Sequence, residues 1–156
     1  MKKVLIALDL DPTAQKVAEY GYSLAQTMAA EVVLLHVIVD GTYYSKGNFP
    51  IMGYTGFIVS PLLFNTESEE PTIESQKYLE QIKIHLNDDA LLTLIKGGDA
   101  ADMIVKAAKE INADVIVMGS HSRRWLEEIL MGSVTEKVLH RSSIPLFIVP
   151  TQHSKK

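Results

Sequence analysis

Five short apolar runs constrain this chain more than any other feature: Val4–Leu8, Val32–Ile38, Ala90–Ile95, Val115–Met118 and Leu146–Val149. Most are apolar at every position rather than at every second one. A strand reads this way when helices cover both faces of its sheet, as in a parallel sheet. Helical stripes separate the runs. Val17, Gly21, Leu24, Ala25 and Met28 form the first, and Tyr78, Leu79, Ile82 and Leu86 the second. Met103, Ile104, Ala107, Ala108 and Ile111 form the third, and Val134, Val138 and Leu139 begin the fourth. The start signals agree. Asp11 precedes Pro12 as a natural N-cap, Glu70-Pro71 opens the second helix, and Asp99 precedes the third. Ser133 with Glu136 three residues on has the pattern of a capping box for the fourth. The order predicts an α/β fold, a single doubly wound parallel sheet of five strands with helices on both faces.

Residues 1–150 are enough for one domain with its own core, leaving a polar tail from Thr151 to Lys156 that is expected to fray. At a net charge of -4 with both signs mixed along the chain, bulk attraction to nucleic acid is not expected. No apolar run approaches the roughly 20 residues a membrane helix needs. Asp9 and Asp11 interrupt the apolar start, so MKKVLIALDLD reads as a first strand rather than a signal peptide, and a cytoplasmic location is expected. The chain has no cysteine, which excludes disulfides, thiolate metal sites and cysteine nucleophiles. The segment from Asp40 to Glu70 is long for a loop and holds six aromatic residues, among them Tyr43, Tyr54 and Phe57. A flap packed on its own domain, a lid over a ligand and a subunit contact all suit it.

Ligands of such sheets bind beyond the carboxyl ends of the strands, where strand order reverses. Here those ends are Leu8-Asp9, Val37-Ile38, Ile95-Lys96-Gly97 and Met118-Gly119. No Walker loop, dinucleotide fingerprint or nucleophile elbow stands at any of them. The five histidines lack paired metal spacing, so no metal site is expected. What remains is anion binding by the backbone: Gly119 ends a strand, and Gly132-Ser133 opens a helix whose N-terminus favours negative charge. The bland alternative makes Gly119 a turn and Ser133 an N-cap only.

The segment VIVMGSHSRRWLEEILMGSVTEKVLHRSSIPLFIV resembles the C-terminal signature of the universal stress protein family, and KKVLIALD and EVVLLHVI extend the likeness over nearly the whole chain. The nucleotide-binding branch of that family carries G-x2-G-x9-G-[ST] here. This chain has Gly119, then Ser122 in place of the second glycine, then Gly132-Ser133. The resemblance implies a strand order of 3-2-1-4-5 and a homodimer. It also implies ATP, with or without Mg, in a pocket where Ala7, Asp9 and Val37 meet the adenine. Asp9 would accept from its amino group, since with Asp11 as the cap Asp9 has no structural task. Met118 and Gly119 would adjoin the ribose, and Ser122, Gly132, Ser133 and Val134 would hold phosphates. His121 suits a polar neighbour of the phosphates, because no nucleophile and orienting group can be named around it. Arg123 and Arg124 reach either phosphate or solvent. Trp125, Leu126, Ile129 and Leu130 suit cover for the core or a neighbour.

The reading is therefore a cytoplasmic ATP-binding regulator of the stress response with no catalytic residues and an unknown protein partner. The alternative is a dimeric interaction protein of the same fold that Ser122 has deprived of nucleotide. The dimer is expected through the last strand, Leu146, Phe147, Ile148 and Val149, bracketed by Pro145 and Pro150, unless the aromatic loop covers that edge within one chain.

Overall fold

The computed structural model describes residues 1–39, 70–120 and 132–151. The aromatic loop up to its last residue, Glu70, residues His121, Ser122, Arg123, Arg124, Trp125, Leu126, Ile129 and Leu130, and the tail beyond Thr151 lie outside the described residues. The elements run β1 (Lys3–Leu8), α1 (Ala14–Thr27), β2 (Glu31–Ile38), α2 (Glu70–Leu86), β3 (Leu92–Gly97), α3 (Ala100–Glu110), β4 (Val115–Gly119), α4 (Ser133–Arg141) and β5 (Leu146–Val149). The five strands form one sheet in the order β3-β2-β1-β4-β5, every pair parallel. This is the doubly wound order that the family resemblance implies.

Strand side chains alternate between two faces, and each face has its own helices and core. Val4, Ile6, Val32, Leu34 and Val117 pack with Val17, Ala18 and Ala25 of α1 and with Leu79 and Ile82 of α2. Leu5, Val33, Leu35, Ile116 and Met118 pack with Ala101, Ile104 and Ala108 of α3 and with Val138 of α4. Two apolar faces explain why the central runs are nearly continuously apolar.

Several strands run one or two residues beyond the apolar runs, and three other differences from the sequence expectation have a local reason. The first helix starts at Ala14 with Thr13 at its N-cap, not at Pro12 behind Asp11. Asp11 instead closes a turn ahead of the helix: its Oδ1 accepts from the Thr13 N–H at 2.9 Å and from the Thr13 hydroxyl at 2.6 Å. The third strand begins at Leu92 rather than Ala90, because the Ala90 N–H is held by the Asp88 carboxylate at 2.9 Å and cannot join the ladder. The fourth helix has Gly132, not Ser133, as its N-cap, with no side-chain capping bond, so the capping box does not form. Asp99 caps α3 as expected, accepting from the Asp102 N–H at 3.0 Å.

Helices α1, α2 and α3 all end the same way. Ala29, Asn87 and Asn112 adopt left-handed φ of 52°, 55° and 55°. The residue after each, Ala30, Asp88 and Ala113, bonds back five positions to Ala25, Lys83 and Ala108. This is the Schellman turn, and it supplies the last carbonyls with donors before the chain enters the next strand or its turn.

Candidate functional site

The carboxyl edge of the sheet gathers most of the expected site residues that are described. In the sheet register Ala7 stands beside Leu35, Val37 beside Lys96, Met118 beside Ile148 and Gly119 beside Val149. Ala7, Val37 and Val134 pack against the core that holds Met118, so all four lie on the α3–α4 face. The alternation of the strands dictates this: Ala7 follows Leu5 by two residues, and Val37 follows Leu35 by two.

A knot of hydrogen bonds joins β4, β5 and α4 at this edge. The Ser120 N–H donates to the Val149 carbonyl at 2.9 Å, and the Gly132 N–H donates to the Ser120 carbonyl at 3.1 Å. The Ser120 hydroxyl accepts from the Thr151 N–H at 3.2 Å, and the Thr135 hydroxyl donates to the Gly119 carbonyl at 3.0 Å. Thr135 is 1% exposed, so this bond lies inside the protein. Ser120, Thr135 and Thr151 were not singled out from the sequence. The available signal was a hydroxyl in the first turn of a helix whose stripe faces inward. The Thr151 hydroxyl is buried without a hydrogen-bond partner among the described residues.

The two glycines serve different ends. A Cβ on Gly119 would lie 3.0 Å from both the Thr151 and the Val17 methyl carbons, so glycine there allows α1 and the end of β5 to close on β4. It is a packing glycine at a strand end rather than a turn. Gly132 has φ -69° and ψ 161°, a conformation open to any residue. As the N-cap, Gly132 has no side chain of its own to bond the first-turn N–H groups. The first-turn N–H groups of a helix have no intrahelical partner. The entrance of α4 therefore presents Ser133, Val134 and Thr135 backbone donors together with an exposed Ser133 side chain.

Asp9 is exposed just past β1. Contrary to the expectation that it has no structural task, its Oδ1 accepts from the Asp11 N–H at 3.1 Å. Its carbonyl accepts from the Tyr78 hydroxyl at 2.7 Å. Burial, and then the Asp9 and Asp11 carboxylates, push the Tyr78 phenol well above its ordinary range, so it remains a donor. His36 is buried on β2, and its Nδ1 lies 2.9 Å from the Leu8 carbonyl, which makes Nδ1 the donor. Lys96, at the end of β3, is paired with Glu110 at 2.6 Å, a bond that lowers the Glu110 carboxyl. Among the described residues no group of acidic or histidine side chains could hold a metal. No helix among them is long and apolar enough to cross a membrane.

The family model for the universal stress protein family matches residues 1–150. The chain belongs to this family. Among universal stress proteins it is similar to MJ0577 of Methanocaldococcus jannaschii, with 34% identity over 157 residues covering 98% of this chain and 97% of that one. The solved structure of MJ0577 superposes with a TM-score of 0.74 at 32% identity over 98% of both chains. A universal stress protein solved in complex with cAMP has a TM-score of 0.66 at 16% identity, covering 97% of this chain and 98% of that one. One from Archaeoglobus fulgidus in complex with dAMP has a TM-score of 0.62 at 18% identity, covering 95% and 97%. At those two identities the likeness is one of fold. Universal stress proteins are a stress-response family, and that much of the function belongs to this chain.

Proposed function

We propose that this universal stress protein binds ATP at the carboxyl edge of its sheet and acts as a nucleotide-responsive regulator rather than an enzyme. The observation that carries the reading is the uncapped entrance of α4, tied by the Gly132–Ser120 and Thr135–Gly119 bonds to the end of β4. Such an entrance suits phosphate, because its donors and its partial positive charge are in place before the ligand arrives. The residues on the adjoining face suit a flat base: Ala7, Val37 and Met118 are small or apolar, and Asp9 stands at the rim. Relatives of this fold solved with cAMP and dAMP support an adenine nucleotide as the class of ligand. Ser122, His121 and Arg123 would complete the phosphate end, with Mg accompanying the triphosphate as a complex rather than resting on protein carboxylates. Chain location in the cytoplasm follows from the same reading, since ATP is plentiful there.

Protein purified without added nucleotide and analysed for bound adenine nucleotides, followed by titration with ATP and GTP, tests the proposal. ATP should bind in preference to GTP, because a carboxylate accepts from the adenine amino group and repels the guanine carbonyl. Asp9→Ala should weaken ATP by roughly 1.5–3 kcal/mol, the worth of a hydrogen bond to a charged group, and narrow the preference. Full selectivity in Asp9→Ala would assign base reading to the Val37 backbone. A wild type that neither carries nor binds nucleotide would favour the pure interaction protein instead.

The same proposal includes a homodimer through β5. This strand is the outermost on its side of the sheet, and Phe147 is 37% exposed there with Leu146 and Ile148 half-buried. An apolar edge is a template for another strand, and a two-fold axis pairs it with its own copy and closes the assembly. Sedimentation should show a dimer for the wild type and a monomer for Ile148→Lys. A monomeric wild type, or a dimer indifferent to charge at Ile148 and Phe147, would remove β5 as the interface.

A further inference from the structure

We propose that Tyr78 is a positioning residue for base selection: by holding the Asp9 carbonyl it fixes the aim of the Asp9 carboxylate, an inference that rests on the nucleotide reading above. At the carboxyl end of β1, the Leu8 and Asp9 carbonyls each take a donor from a side chain of a neighbouring element. The Leu8 carbonyl takes the His36 Nδ1–H at 2.9 Å from β2, and the Asp9 carbonyl takes the Tyr78 hydroxyl at 2.7 Å from α2. The two donors brace each other, since the His36 and Tyr78 rings meet edge to face at 6.0 Å and 67°. His36 also stands beside Leu8 in the strand register, so this bracket is anchored in the sheet.

Two successive peptides held from outside the strand leave the Asp9 backbone little freedom. The third constraint is the turn bond from the Asp11 N–H to Asp9 Oδ1 at 3.1 Å, which orients the carboxylate itself. Asp9 is exposed, so packing does little to hold its side chain. Its direction is therefore set through the main chain, and Tyr78 is the group that sets the peptide following it. Discrimination between an amino group and a carbonyl on a bound base depends on that direction, whereas binding of a phosphate at the entrance of α4 does not. Tyr78 lies 69 residues from Asp9 in the chain and on a different element, which is why no local motif announces it.

Tyr78→Phe keeps the ring against His36 and removes only the hydroxyl. The variant should stay folded, its melting temperature lowered by only a few degrees through the one lost hydrogen bond, and should keep the wild-type affinity for inorganic tripolyphosphate. Its preference for ATP over GTP should narrow by about two- to tenfold, the range expected from one hydrogen bond. In an Asp9→Ala background the same substitution should change the preference no further, because the residue through which it acts is gone. Three results would overturn the assignment: an unchanged ATP-to-GTP ratio in Tyr78→Phe, a fall of both affinities by the same factor, or a further loss of preference on top of Asp9→Ala. A wild type with no preference for ATP would overturn the nucleotide reading and this inference together. A wild-type preference that ignores Tyr78 would overturn only the positioning.

Discussion

Gly132→Glu is expected to abolish ATP binding while leaving the protein folded. Gly132 is buried, but its φ and ψ, -69° and 161°, suit any residue, so the backbone does not object to the change and the melt reads whether the side chain is accommodated. A carboxylate at the start of a helix is favourable to the helix itself, worth about 0.3–1 kcal/mol through the macrodipole. The effect on the ligand has the opposite sign. The negative group that complements the exposed N–H groups occupies the place and the charge that a phosphate would use. Two like charges about 4 Å apart repel by roughly 4 kcal/mol at the effective dielectric of a protein surface. Loss of ATP affinity of on the order of 100-fold or more is therefore expected. The measurement is calorimetric titration with ATP beside a thermal melt. A Gly132→Glu protein that melts like the wild type and still binds ATP normally would remove the entrance of α4 as the phosphate site.

The largest effect on stability is expected at Gly21, in the middle of α1. A Cβ placed there would lie 2.7 Å and 2.9 Å from the Ile6 Cδ1 and Cγ1 and 3.0 Å from the Val117 Cγ1. Ile6 and Val117 are both fully buried at the centre of the sheet, so neither has a free direction in which to move. Helix α1 must retreat from β1 and β4, and the whole α1–α2 core loosens with it. Gly21→Val should destabilise by about 3 kcal/mol, at the upper end of ordinary overpacking. For a domain of this size that lowers the melting temperature by about 10 °C. Gly21→Ala should cost less, because alanine recovers about 1 kcal/mol of helix propensity against the same crowding. A valine variant that melts at or above the wild-type temperature would show that α1 does not rest on its glycine.

How legible this protein is from sequence depends on whether the relevant force is local. The apolar runs and stripes locate the elements because the central strands, β1, β2 and β4, are buried on both faces and so read as nearly continuous apolar runs. Asp99 was readable as a cap because its work is done within three residues. Asp11 was misassigned for the same kind of reason: turn and cap use the same atoms, and the competition is settled by how α1 meets the sheet. At Gly132 a local pattern, Ser133 with Glu136, suggested a capping box that the close approach of Ser120 replaces. The placement of Ala7, Val37 and Met118 on one face follows from alternation. Ser120, Thr135, His36 and Tyr78 were not legible as site residues, because each acts on a carbonyl or N–H that only the assembled sheet brings near. The strand order came from family likeness rather than from any residue, since nothing in the runs themselves says which neighbours pair.

The bond between the Ser120 carbonyl and the Gly132 N–H has a consequence for how such a protein changes over generations. The chain departs from the scaffold at Ser120 and rejoins it at Gly132, and this one bond ties the two ends together. Doubling the length of a chain segment already tied in this way costs only about 0.6 kcal/mol of closure entropy. Insertions, deletions and wholesale exchange between Ser120 and Gly132 leave the frame and the rim at Asp9 where they are. On the nucleotide reading proposed above, recognition of the anion could then drift while recognition of the base is inherited.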